Sequence, residues 1–238
     1  MASTSETGHL KNITNFARLI AIAEAYGSRY APTSPLLAVP AMKDSCTKAG
    51  QKHQATYDLK LAYEKVVGER RKAFQPLEPL ATRVAASLAA CGAPDAAIED
   101  AKGLNRKLRG QRAGNAAGTP GPENHKTISV SQQSFDRQAD FFSQLVGLVG
   151  STASYAPNET ELQTASLSAY HSQLTDANAS VVNAYAPYAN AMIARDKSLY
   201  DDDGLLGQAK LFKAYVKSAF GANSPEYAQV REIDFKAS

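Results

Sequence analysis

The sequence predicts an all-α protein, an elongated helical bundle with two long helices, one of them kinked near Pro187, and several shorter ones. Three observations carry that expectation. Alanine accounts for 42 of 238 residues, and it is the best helix former because it loses no side-chain entropy in a helix. Trp is absent and Phe numbers only 8, and the β-branched residues never gather into alternating runs. Apolar residues instead recur at spacings of three and four, the signature of one buried helical face.

The first helix is expected over about Leu10 to Tyr26, with Leu10, Ile13, Phe16, Leu19, Ile20 and Ala23 on its apolar stripe. Gly27 supplies its C-terminal stop. A loop broken by Pro32, Pro35 and Pro40 follows. A long helix then runs from about Ala41 to Arg71 or beyond, with Tyr57, Leu59, Leu61, Ala62, Val66 and Val67 on its apolar side. Pro76 and Pro79 kink or briefly break it, because proline removes a backbone donor and clashes with the preceding turn. Helical pattern resumes over Leu80–Ala90 and stops at Cys91-Gly92-Ala93-Pro94. Another helix opens at Asp95 and reaches about Leu108.

Residues 110–127 read as a Gly/Pro-rich linker between two helical halves, 1–109 and 128–238, that pack as one bundle. In the second half Ser131 is a candidate N-cap, ahead of Phe135, Phe142, Leu145, Val146 and Val149 at helical spacing. Asn158, followed by Glu159 and Glu161, reads as the start of the second long helix. It would run to about Tyr200, roughly 42 residues and about 63 Å at the α-helical rise. Asp201-Asp202-Asp203-Gly204 closes it, and these aspartates are expected to cap the next helix, Leu205 to Phe220. Gly221 ends that helix, and Ser224-Pro225-Glu226 opens one more. The tail Val230–Phe235 is amphipathic and fits either a helical turn or a short strand. The two halves run through a similar order of long helix, shorter helix and Gly-Ala break. That echo fits an internal duplication, or simply glycine and proline punctuating helix ends.

Composition bounds function. A net charge of +3 is too mild for a nucleic-acid-binding face. Cys46 and Cys91 form no disulfide framework and read as half-buried thiols. The N-terminus lacks a charged and apolar leader pattern, and no run approaches the ~18 apolar residues of a membrane span. A cytoplasmic location is therefore expected, with non-canonical export left open. His9, His53, His125 and His171 are scattered, and no Cys-x-x-Cys or His-Glu-x-x-His occurs. Ser45-Cys46-Thr47-Lys48 matches the Ser-x-x-Lys pattern, but the Ser-Asp-Asn and Lys-Thr-Gly motifs that complete that chemistry are missing. Asp201–Asp203 are consecutive, whereas a calcium loop needs alternate acids and a later bidentate Glu. No cofactor is expected.

Two surface features remain. Lys102, Arg106, Lys107, Arg109 and Arg112 form a basic stretch entering the linker. It suits either an anion contact or a helix C-terminus favoured by positive charge. Tyrosines recur at 155, 170, 185, 200 and 215, and Tyr170, Tyr185, Tyr188 and Tyr200 are candidates for an interaction surface, since Tyr buries its ring while its hydroxyl stays wet.

At Ile128–Arg137, Tyr155–Leu162, Ala194–Tyr200 and Tyr215–Tyr227 the chain resembles an uncharacterised group of bacterial all-helical proteins. The likeness is strongest from about residue 125 onward. It implies a helical fold and a bacterial source, and carries no activity or site. The function expected is a non-enzymatic structural or interaction protein, with a protein partner or a self-assembled homo-oligomer formed through its Ala-rich helices. The alternatives are a membrane-active, pore-forming-like component touching a membrane through residues 81–93 or Phe141–Gly150, and an enzyme whose site converges between helices.

Overall fold

A computed structural model describes residues 4–110 and 134–236. Among these residues every regular element is a helix. The α-helices are α1 (Thr4–Tyr26), α2 (Val39–Phe74), α3 (Leu77–Ala90), α4 (Asp95–Leu108), α5 (Phe135–Ser151), α6 (Thr164–Tyr200), α7 (Leu205–Phe220) and α8 (Pro225–Arg231). Single 3-10 turns sit at Gly27–Arg29, Pro35–Leu37 and Thr160–Leu162. The all-α bundle expected from alanine content and periodicity is the fold observed.

The helix ends follow local chemistry. Gly92 has φ 69° and closes α3 through two bonds, Gly92 N–H to Ala89 O and Ala93 N–H to Leu88 O, the pattern that satisfies the last carbonyls of a helix. Gln75 and Pro76 separate α2 from α3, so the prolines break the helix over two residues. Pro79 falls in the first turn of α3, where a missing N–H costs nothing. α6 runs unbroken through Pro187. Ser224 caps α8, its hydroxyl accepting from Tyr227 N at 3.1 Å.

Several expectations are corrected. α5 is capped by Ser134, which accepts from Arg137 N at 3.2 Å; Ser131 lies outside the described residues, as do 111–133 of the expected linker. Asn158 does not start α6. The chain instead makes the Thr160–Leu162 turn, burying Leu162 under Tyr155, whose hydroxyl donates to Leu162 O at 2.8 Å. The second long helix therefore begins at Thr164 and spans 37 residues. The aspartates before α7 do not cap it: Gly204 occupies the cap position, with no side-chain cap bond. Among the described residues the tail beyond α8 forms no strand.

The stripe expected on α2 is also displaced. Tyr57 and Leu61 are exposed, at 46% and 47%. The side chains turned inward are Met42, Cys46, Ala49, His53, Thr56, Lys60, Tyr63, Val67, Arg70 and Phe74, all buried or half-buried. These positions alternate spacings of four and three, a heptad seam, but half of them are polar or small. Of the residues expected on the apolar side, Val67 lies on this seam and Leu59 and Val66 are half-buried, whereas Tyr57, Leu61 and Ala62 face outward. On α1, similarly, Leu10 is exposed while His9 and Asn12 are buried.

Packing divides the chain into two compact units, and neither is one of the halves flanking 110–127. The first comprises residues 1–63 and 184–238, the second residues 64–183. The core of the first is built from Phe16, Leu19, Ile20, Met42, Leu199, Leu205, Phe212, Val216 and Val230. Its last residues are held by side chains. Asn12 and Asn15 donate to the carbonyls of Lys236 and Asp234 at 2.8 and 2.6 Å, and Lys213 Nζ donates to Ile233 O at 2.6 Å. The core of the second is built from Phe74, Leu77, Val84, Leu88, Leu108, Phe142, Leu145, Val149, Leu167 and Leu174. Among the described residues no helix is long and apolar enough to cross a membrane.

Candidate interaction surface

In the first unit α2 and α6 run side by side in opposite directions, Thr56 Oγ1 donating to Ala191 O at 3.2 Å. Two turns further along α2, Tyr63 meets α6. Its ring stacks on Tyr188, with centroids 5.9 Å apart and planes 19° apart, and lies 5.6 Å from Tyr185. Tyr185 and Tyr188 are themselves 6.4 Å apart, edge to face. Three aromatic rings thus join the two helices, with Tyr185 remaining 49% exposed. On the same stretches Tyr57, Leu61 and Ile193 point outward, Ile193 being 56% exposed.

The structure therefore brings together two of the four tyrosines singled out from sequence. Tyr170 belongs to the second unit, where its hydroxyl donates to Ala73 O at 2.7 Å. Tyr200 belongs to the first, half-buried with its ring 5.8 Å from that of His9. Burial raises the Tyr200 pKa, the Asp196 carboxylate adding to the effect. Tyr155 and Tyr215 are also engaged internally, Tyr215 Oη accepting from Ala31 N at 2.9 Å. The interval of 15 thus reflects separate packing roles. Tyr63, which organises the ring cluster, was missed because it lies outside that interval; its place in the α2 heptad is the signal that finds it.

The basic stretch on α4 is largely committed within the fold. Lys102 pairs with Glu99 at 2.8 Å, holding that carboxyl below its usual range. Lys107 Nζ lies 5.6 Å from the Phe141 ring centroid, and Arg109 donates to Thr82 Oγ1 at 2.8 Å. Arg106 and Lys107 occupy the last turn of α4, where positive charge complements the free carbonyls. Arg112 lies outside the described residues.

Sequence reasoning also missed a polar cluster in the interior of the first unit. His9 is 5% exposed, with Nε2 3.5 Å from Asp196 Oδ1 and its ring 6.4 Å from that of His53. Arg195, itself buried, reaches Asp196 Oδ1 through Nη2 at 2.8 Å. The His9 imidazole comes from α1, the His53 imidazole from α2, and the Asp196 carboxylate and Tyr200 phenol from α6, three helices far apart in sequence. Their shared signal is polar character at inward heptad positions. Ser45 and Lys48 of the Ser-x-x-Lys pattern each have another partner. Ser45 Oγ accepts from Gln208 Nε2 at 2.9 Å, and Lys48 Nζ pairs with Asp44 at 2.7 Å. Cys46 and Cys91 are free and half-buried, and burial pushes the Cys46 thiol up. Among the described residues no group of three or more His, Cys, Asp or Glu side chains is arranged to hold a metal ion.

Comparison with protein-family models, curated proteins and solved structures finds no match to this chain.

Proposed function

We propose that this chain is a non-enzymatic structural or interaction protein that works through the outer faces of its long helices, a second copy being the first partner to test. One observation carries this reading. Among the described residues eight large hydrophobic side chains are exposed, and four of them, Tyr57, Leu61, Tyr185 and Ile193, sit on α2 and α6 within the first unit. Single exposed apolar residues are ordinary on protein surfaces. Here they accompany a packed ring cluster that holds Tyr185 against Tyr63 and Tyr188. Burying them against a partner contributes about 25 cal/mol per Å² of apolar area, offset by the side-chain entropy lost on docking.

The test is light scattering coupled to size exclusion over a wide concentration range, on the natural chain and on a Leu61→Glu/Ile193→Glu variant. Both positions are exposed, so the variant retains the fold by circular dichroism. The expected result is concentration-dependent association that the variant loses. A natural chain that stays monomeric up to millimolar concentration sinks self-assembly.

A further inference from the structure

Residues 233–236 follow α8 without regular structure and lie against α1 and α7 of the first unit. Their side chains alternate. Ile233 is 4% exposed and Phe235 half-buried, both packed on the core of that unit, whereas Asp234 and Lys236 face solvent. A period of two is that of an extended chain. Among the described residues every hydrogen bond from α1 and α7 to this segment goes to main-chain atoms. Asn12 takes both backbone groups of Lys236, at 2.8 and 2.9 Å, and Asn15 donates to Asp234 O at 2.6 Å. Lys213 Nζ donates to Ile233 O at 2.6 Å and to Arg231 O at 3.3 Å, and lies 5.6 Å from the Phe235 ring centroid.

These are the two parts of peptide recognition by strand addition: main-chain bonds supply affinity, and seats for alternate side chains supply specificity. Here amide and ammonium side chains on two helices replace the receiving strand. Such contacts select a backbone path and two apolar side chains at alternate positions, and covalent attachment of the segment contributes effective concentration rather than contacts. We infer that this face of α1 and α7 is a peptide-binding seat that takes residues 233–236 of a second copy in trans, the chain's own segment being the competing cis occupant. The second copy is the occupant because its segment carries the pattern that fits, Ile233 and Phe235 inward with Asp234 and Lys236 outward. Exchange of an identical element between two chains needs no new contact. The inference goes beyond association through α2 and α6 and does not depend on it.

Two full-length variants test it together. One carries Ile233→Asp/Phe235→Asp, which empties its seat; the other carries Asn12→Ala/Asn15→Ala, which keeps the segment and breaks the seat. Both also carry Leu61→Glu/Ile193→Glu, so that association through α2 and α6 does not contribute. By sedimentation velocity the mixture is expected to form a one-to-one complex that neither chain forms alone. A labelled peptide of residues 230–238 should bind the emptied seat about tenfold tighter or more than it binds the natural chain, whose own segment competes. A mixture that stays monomeric, or a peptide that binds the emptied and natural chains alike, overturns the inference. Hydrogen exchange on the natural chain needs no variant to fold. The Lys236 amide is expected to exchange by local release of the segment, at a rate insensitive to low urea, while the Leu19 amide follows global unfolding. Exchange of both amides only through global unfolding also overturns it.

Discussion

Asn12 pairs with the backbone of Lys236 on both sides, its Nδ2 donating to Lys236 O at 2.8 Å and its Oδ1 accepting from Lys236 N at 2.9 Å. The amide is fully buried and does what a neighbouring strand would do for an extended segment. Asn12→Ala strands two backbone groups and is expected to destabilise the first unit by about 2–3 kcal/mol. Urea denaturation measures it. In a chain shortened to end at Ile233 the same substitution should cost much less, because its partner is gone. An equal cost in both backgrounds would place Asn12's effect elsewhere.

Tyr170 closes the end of α2 by donating to Ala73 O, one of the last carbonyls of that helix. Burial pushes its pKa from 10.0 up to about 12. The folded state therefore favours the neutral phenol. Its contribution is complete below pH 10, the ordinary tyrosine range, and is lost as pH rises through about 12. Tyr170→Phe should cost about 1 kcal/mol at neutral pH. It should also flatten the alkaline limb of a stability–pH profile, read by thermal melts between pH 9 and 12. An unchanged alkaline limb would refute the assignment.

At Gly207 an added β-carbon would lie 1.8 Å from Asp202 O and 2.7 Å from Asp202 C. The obstacle is backbone, so no side chain can swing away. Gly207→Ala is expected to cost about 3 kcal/mol although alanine is the better helix former. Gly8→Ala, where nothing lies within 4 Å, should be neutral or slightly stabilising. Thermal unfolding of the pair separates backbone collision from helix propensity.

Asn178→Leu replaces an amide whose buried Oδ1 has no hydrogen-bond partner among the described residues, on a helix whose neighbouring inward positions are Leu174 and Val181, both buried. It should raise stability by about 1 kcal/mol, since an unpaired acceptor is removed and apolar area is gained. A fall in the denaturant midpoint would mean that the amide supports the packing.

Legibility followed punctuation. Gly27, Gly92, Gly221 and Ser224 act where the sequence places them, because left-handed backbone and N-cap chemistry are local properties. Asn158 misled because the Leu162–Tyr155 contact, a matter of packing, outcompeted an acceptable cap. Tyr57 and Leu61 misled because the seam of α2 is filled by His53, Thr56 and Lys60, which no apolar count selects. The same reason hid the His9–Asp196–Tyr200 cluster and Asn178: a buried asparagine and a solvated one look identical until a neighbouring helix is in place. The unit boundaries were hidden because they fall within α2 and α6, at positions with no break in helical pattern.

The interleaved composition of the first unit sets an order of assembly. Residues 64–183 are contiguous, so they can fold together once Asn183 has left the ribosome. At that moment residues 1–63 still lack α7, α8 and the Lys236 segment that Asn12 holds. Phe16, Leu19 and Met42 must wait for Phe212 and Val216 before their surfaces are covered. Nascent α1 and the first part of α2 thus keep apolar surface uncovered until α7 is made.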